Sequence, residues 1–155
     1  MIRVGRINDK ELIKEAFTNS RVWGPSTDDG AGSPEDFQPF INESTIYLGV
    51  YDDDVFCGVF LFVPRSFVCY EVHTRLLPCA FGAKAVDAVQ KASEWMWAGT
   101  TAWRIVTEIP NSNSHAVQLA VKAGMAVYGL NPHSWGKDGV LHDCLLLGMS
   151  RPLGV

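Results

Sequence analysis

"NSHAVQLAVKAGM", residues 113 to 125, is the stretch whose reading decides this fold. Asn113 opens it, Ala116, Leu119, Ala120 and Ala123 recur at helical spacing, and Gly124 closes it. The spacing predicts an amphipathic helix ended by a left-handed glycine that turns the chain into the next strand. Taken alone, the pattern suits a plain surface helix equally well. Its neighbours matter: the apolar, β-branched run "AWRIVTEIP" (102–110) comes before it and "AVYGL" (126–130) after it, so the helix connects two strands.

The same unit recurs outward along the chain. "IRVGRI" reads as a first strand, and Asp9 caps a helix whose apolar stripe is Leu12, Ile13, Ala16 and Phe17. Residues 21–39, dense in Gly, Pro, Ser and Asp, read as a long loop with one helical turn from Ser33, and long ordered loops in small domains tend to be functional. "STIYLGVY" and "VFCGVFLFVP" form a hairpin across Asp52–Asp54, "FVCYEVHTRLL" is a third strand, and a helix follows from Gly82 to Trp97. After the opening motif come a strand at "AVYGL", a loop, and a last strand at "HDCLLLGMS". Strands and helices in this order make a mixed sheet with helices on its faces. Residues 1–155 are expected to form one domain, large enough to bury roughly two-thirds of its unfolded surface.

Composition narrows the function classes. A net charge of −4 argues against a nucleic-acid partner, which needs clustered Lys and Arg. No run of about 18 apolar residues suits a membrane span, and "MIRVGRINDKEL" lacks a signal-peptide core, so a cytoplasmic protein with no membrane partner is expected. Cys57, Cys69, Cys79 and Cys144 are scattered without a C-x-x-C pair and read as reduced thiols packed as small hydrophobes. "HDC" at 142–144 is a fragment of a zinc set, and no metal is expected.

Asn113, Ala116, Leu119, Lys122, Gly124 and Met125 also fit N-x-x-A-x-x-L-x-x-K-x-G-(F/M) after a strand ending "EIPN". On these residues, and in its element order across nearly the whole chain, the protein resembles the GNAT superfamily of acyl-CoA-dependent acetyltransferases. The resemblance implies an α/β (α+β) fold, a mixed, mostly antiparallel twisted sheet with helices on both faces. It implies acetyl-CoA as co-substrate, a small-molecule or protein amine as acceptor, and a homodimer. "YEVHT-LLP" and the closing "YGLNP…G…HD…LLG" are similar to phage-encoded GNAT proteins, for which the setting would be the host cytoplasm.

In that family a (Q/R)-x-x-G-x-(G/A) loop holds the cofactor's pyrophosphate. Small residues let backbone N–H groups reach phosphate, and a helix N-terminus adds partial positive charge. Aligned on Gly82, the corresponding stretch is "CAFGAK" (79–84), with Cys79 at the Q/R position and Lys84 at the last small one. Aligned on Pro78 instead, Phe81 takes the Q/R position and Lys84 and Val86 replace the small residues, so the motif is degenerate in either register. Phe81, Gly82, Ala83 and Lys84 are therefore the expected pyrophosphate contacts. Lys84 has three readings: its bulk closes the cradle, its ammonium pairs with a phosphate, or it is a solvated first-turn lysine. The resemblance further assigns backbone around Leu76 and Leu77 to the acyl carbonyl, and Asn113 to the cofactor or nearby backbone.

For chemistry, Glu71 and His73 alternate with Tyr70 and Val72 and share one strand face, where either suits a general base. The plain alternative is that they hydrogen-bond each other or loop backbone. Glu108 ranks below them. The family's tyrosine acid is replaced by Ala120. A Cys79–His73 nucleophilic pair ranks far lower, lacking an orienting Asp. Trp95, Trp97 and Trp103 read as core or sheet-covering residues, and Asp28, Asp29, Glu35 and Asp36 as a solvated loop able to attract a cation. Two functions remain open: an acetyl-CoA-dependent N-acyltransferase, and a GNAT-fold binding or structural protein without catalysis.

Overall fold

A computed structural model describes residues 1–154. In chain order the elements are β1 (Ile2–Arg6), α1 (Lys10–Thr18), α2 (Ser20–Ser26), β2 (Ile46–Asp52), β3 (Val55–Pro64), β4 (Cys69–Leu76), α3 (Ala83–Gly99), β5 (Arg104–Pro110), α4 (Ser114–Lys122), β6 (Ala126–Lys137) and β7 (Val140–Ser150), with 3₁₀ turns at Pro34–Asp36 and Pro78–Ala80. The strands form one sheet ordered β1-β2-β3-β4-β5-β7-β6. Every neighbouring pair is antiparallel except β4 with β5.

Strand alternation distributes the core over both faces. Leu48, Val50, Phe60 and Phe62 pack against Ala85, Ala88, Ala92 and Met96 of α3 and Ala120 of α4. Tyr47 and Val59, one register position away, pack against Ile13, Ala16 and Phe17 of α1. The small residues of α3 seat it close to the sheet, so its N-terminus lies just beyond the end of β4.

The parallel pair is short. Cys69–Glu71 pair with Arg104–Val106, and after that β4 and β5 part. Thr107 Oγ1 bridges the start of the gap by donating to the Val72 carbonyl at 3.1 Å. Since that carbonyl faces β5, alternation turns the backbone of Thr74 and Leu76 into the gap as well. On the other side, β3 approaches β4 closely at Gly58, which has a φ of +129°. A Cβ there would stand 2.5 Å from the Arg75 carbonyl oxygen and 2.7 Å from Leu76 Cα, so only glycine fits.

The structure corrects the sequence reading in three places. Residues 20–26 are helical rather than the start of a loop, because the Asn19 side chain accepts from Arg21 N at 3.0 Å and caps α2, while Pro25 falls in its last turn. The expected loop after "AVYGL" is instead a continuation of β6. It bulges between Asn131 and Trp135 and returns through Asp138 and Gly139, both at positive φ, as a two-residue hairpin requires. Cys57 and Cys79 are joined as a disulfide, with Cα atoms 5.6 Å apart, while Cys69 and Cys144 are free thiols. The bridge fastens the 3₁₀ turn after β4 to β3. No helix among the described residues is long and apolar enough to cross a membrane.

Candidate active site

A cavity of about 430 Å³ lies where β4 and β5 separate. It runs through the sheet. On the α3/α4 side it is lined by Val89, Ala92, Asn113, Ala116 and Leu119, and on the α1/α2 side by Glu71, His73, Arg75, Pro25, Asp28 and Trp135. Two ligands could thus meet in the gap from opposite faces of the sheet.

Glu71 and His73 stand on the face toward α1 and α2. The Glu71 carboxylate is engaged at both oxygens: Oε1 with His73 Nε2 at 3.0 Å and Oε2 with Arg65 at 3.1 Å. This is the mutual hydrogen bond of the plain alternative, and it has a chemical consequence. With Nε2 donating to Glu71, the lone pair of the neutral ring sits on Nδ1. Burial holds the His73 pKa below its ordinary value, and the nearby Arg75 guanidinium lowers it further, against the opposing pull of Glu71. The shift favours the neutral ring, which is oriented by a carboxylate that Arg65 also holds. Glu108, the lower-ranked base, is exposed and accepts from Asn131 Nδ2 at 2.8 Å.

The loop after β4 is built of small residues with unfilled N–H groups. Ala80 N and Phe81 N close the 3₁₀ turn onto Leu77 O and Pro78 O. Gly82 follows at φ +80° and ψ −139°, conformations open essentially to glycine, and caps α3 without a side-chain hydrogen bond. The first-turn amides of α3 at Ala83 and Lys84 are left for an external acceptor. The Lys84 ammonium is taken by Asp52, its Nζ 2.6 Å from Oδ2. In this structure it is thus an ion-paired lysine rather than a lone solvated one. Phe81 is exposed, with the Arg21 guanidinium 5.7 Å from its ring centroid.

Two assigned backbone contacts differ. Leu76 faces the gap, but the Leu77 N–H donates to Cys57 O at 2.9 Å, so Leu77 has no amide to offer an acyl carbonyl. Asn113 caps α4, accepting from Ala116 N at 3.3 Å, and lines the cavity. Cys79, in its disulfide, is no nucleophile. Trp97 is core, whereas Trp103 is half-exposed beneath the Arg151 guanidinium at 4.8 Å. Among the described residues no three His, Cys, Asp or Glu side chains gather as a metal site requires.

Sequence reasoning missed the roof over the α1/α2 side. The Asp29 carboxylate accepts from Asp138 N at 2.8 Å and Gly139 N at 3.1 Å, and Lys137 Nζ donates to Gly24 O at 2.8 Å and Thr27 O at 2.7 Å. The α2 segment is thereby tied to the β6–β7 hairpin. The Asp138-Gly139 dipeptide was the available signal for this turn. Arg75 was missed too, although it continues the i, i+2 row of Glu71 and His73.

Comparisons with solved structures agree with this architecture. Spermidine N-acetyltransferase from Vibrio cholerae, in complex with CoA and spermine, superposes with a TM-score of 0.76 at 12% identity, over 96% of this chain and 95% of that one. Ribosomal-protein-S5-alanine acetyltransferase from Vibrio fischeri gives 0.76 at 17%, over 97% and 96%. An acetyltransferase of the GNAT family from Streptococcus pneumoniae gives 0.73 at 14%, over 98% and 100%. This chain has the GNAT fold. At these identities the likeness establishes architecture and leaves chemistry to the site. No family model matches the sequence, and no curated protein does.

Proposed function

We propose that this protein is an acetyl-CoA-dependent N-acyltransferase. The observation that carries this reading is the β4–β5 gap, whose cavity is lined by the Glu71-bound imidazole of His73, together with the uncapped N-terminus of α3 that follows β4 in the chain. The cofactor's pyrophosphate would rest on the amides of Gly82, Ala83 and Lys84, with Phe81 beside it. Its pantetheine arm would lie in the gap along Leu76 and Asn113. The acceptor amine enters beneath Pro25 and Trp135, gives its proton to His73 Nδ1, directly or through one water, and attacks the thioester carbonyl carbon. The tetrahedral intermediate then expels thiolate as the C–S bond breaks, leaving an amide. With Ala120 where a tyrosine acid would stand, the thiolate leaves unaided and takes its proton from water, which thiol acidity permits.

The setting follows the sequence resemblance: one domain, a homodimer, cytoplasmic, and in the host cytoplasm if phage-encoded. A second reading, a cofactor-binding or structural protein without turnover, is favoured by Ala120 and by the lack of the Q/R residue at Cys79. Thiol release from acetyl-CoA across a panel of amines separates the two. The enzyme reading requires amine-dependent release. Binding of acetyl-CoA with no release from any amine would support the second.

A further inference from the structure

Arg75 lies in the cavity as a cation without an anion. Among the described residues Arg65 pairs with Glu71, Lys84 with Asp52, and Lys91 with Asp87, whereas Arg104, Lys137 and Arg151, like Arg75, have no carboxylate partner, and of these four only Arg75 lines the cavity. Arg75 is largely enclosed, and no carboxylate among the described residues stands within 4.0 Å of it. Of its five N–H donors, one is used, from Nη1 to the Thr74 carbonyl at 2.9 Å, while the Phe17 ring lies 5.0 Å from its guanidinium carbon. Enclosure lowers its pKa to about 10, which still leaves it charged at neutral pH. An enclosed charge is normally paired, because desolvation of a lone one is costly.

Its position says which ligand would pair with it. Glu71, His73 and Arg75 project from alternate positions of β4 toward α1 and α2. The helix amides that would take cofactor phosphates lie at the start of α3, which packs on the opposite face. The anion that completes Arg75 therefore arrives with the acceptor.

We propose that Arg75 is the anion-binding group of the acceptor subsite, so that the acceptor is a small amine bearing a carboxylate, an amino acid in the broad sense. This rests on the acyltransferase reading above. The planar fork of a guanidinium suits a carboxylate bidentately, and four N–H donors remain after the Thr74 contact, enough for such a pair. The same charge disfavours a polycationic acceptor such as spermine through like-charge repulsion.

The test is a thiol-release assay on matched amines: amino acids, their carboxamides, their decarboxylated counterparts, aminophosphonates, and spermidine. Carboxylate-bearing amines should exceed their neutral partners by at least tenfold in kcat/KM. Arg75→Met should erase that preference, mainly through KM, and Arg75→Lys should keep part of it. Aminophosphonates equalling the carboxylates would replace carboxylate by phosphonate or phosphate as the anion. Amides or spermidine turned over as well as amino acids, or a selectivity unchanged in Arg75→Met, would overturn the proposal. If no amine is turned over, thermal stabilisation of the wild type by N-acetyl amino acids, absent with their amides and absent in Arg75→Met, supports the anion site while the acyltransferase reading fails. No such stabilisation overturns the anion site as well.

Discussion

Glu71 Oε1 and His73 Nε2 lie 3.0 Å apart on β4, and the other Glu71 oxygen is held by Arg65. Under the proposed acyltransferase reading, the carboxylate orients the imidazole rather than serving as the base. Replacing His73 with Asn should lower kcat by roughly 10²–10⁴, and Glu71→Gln should cost less, since it spares the nitrogen that takes the proton. Steady-state kinetics on both variants checks the order.

The pH profile follows from the same pair. The His73 pKa is depressed below 6.5, so the neutral base is complete above that value and is lost as pH falls through the lower folded value. The rate should rise with pH along an acid limb whose pKa lies below 6.5 and that vanishes in His73→Asn. The sign for stability is the same: the folded state prefers neutral His73, so its contribution is full above 6.5 and declines in acid.

Gly82→Ala tests the pyrophosphate loop. No atom lies within 4 Å of a Cβ built there, so the cost is conformational. Its φ of +80° should make that cost about 1–3 kcal/mol, a Tm fall of roughly 3–10 °C, with weakened acetyl-CoA binding. Calorimetric titration and melting curves report both.

Lys84→Ala should leave the Kd for acetyl-CoA within about twofold, because the ammonium is engaged with Asp52 and exposed ion pairs contribute little. A loss of tenfold or more would mean that Lys84 leaves Asp52 for a phosphate.

Asp29→Ala should raise the acceptor KM several-fold with little change in acetyl-CoA affinity, since it unties the α2 segment from the β6–β7 hairpin. The Gly139 and Asp138 amides hold the Asp29 pKa below its ordinary value. The tie is therefore intact above about pH 4 and lost as acid protonates the carboxylate.

Much of the architecture was legible because it is local. Helical spacing in "NSHAVQLAVKAGM", the cap at Asp9 and the strand runs each specify an element from its own residues. Glu71 and His73 were legible as neighbours on one strand face for the same reason. What escaped was long-range. The Cys57–Cys79 bridge depends on how β3 meets the turn after β4, and the Asp29 tie on contact with a hairpin more than a hundred residues away. Lys84 could not be resolved from its loop because its partner, Asp52, comes from β2. Arg75 drew no notice because an arginine in a strand is ordinary until its lack of a partner is seen.

The most direct measurement is the melting temperature of the purified protein with and without acetyl-CoA. At about 100 times Kd the ligand should add roughly 2.7 kcal/mol, a rise of roughly 5–10 °C, and Gly82→Ala should diminish it. An unchanged melting temperature at millimolar acetyl-CoA would contradict the account.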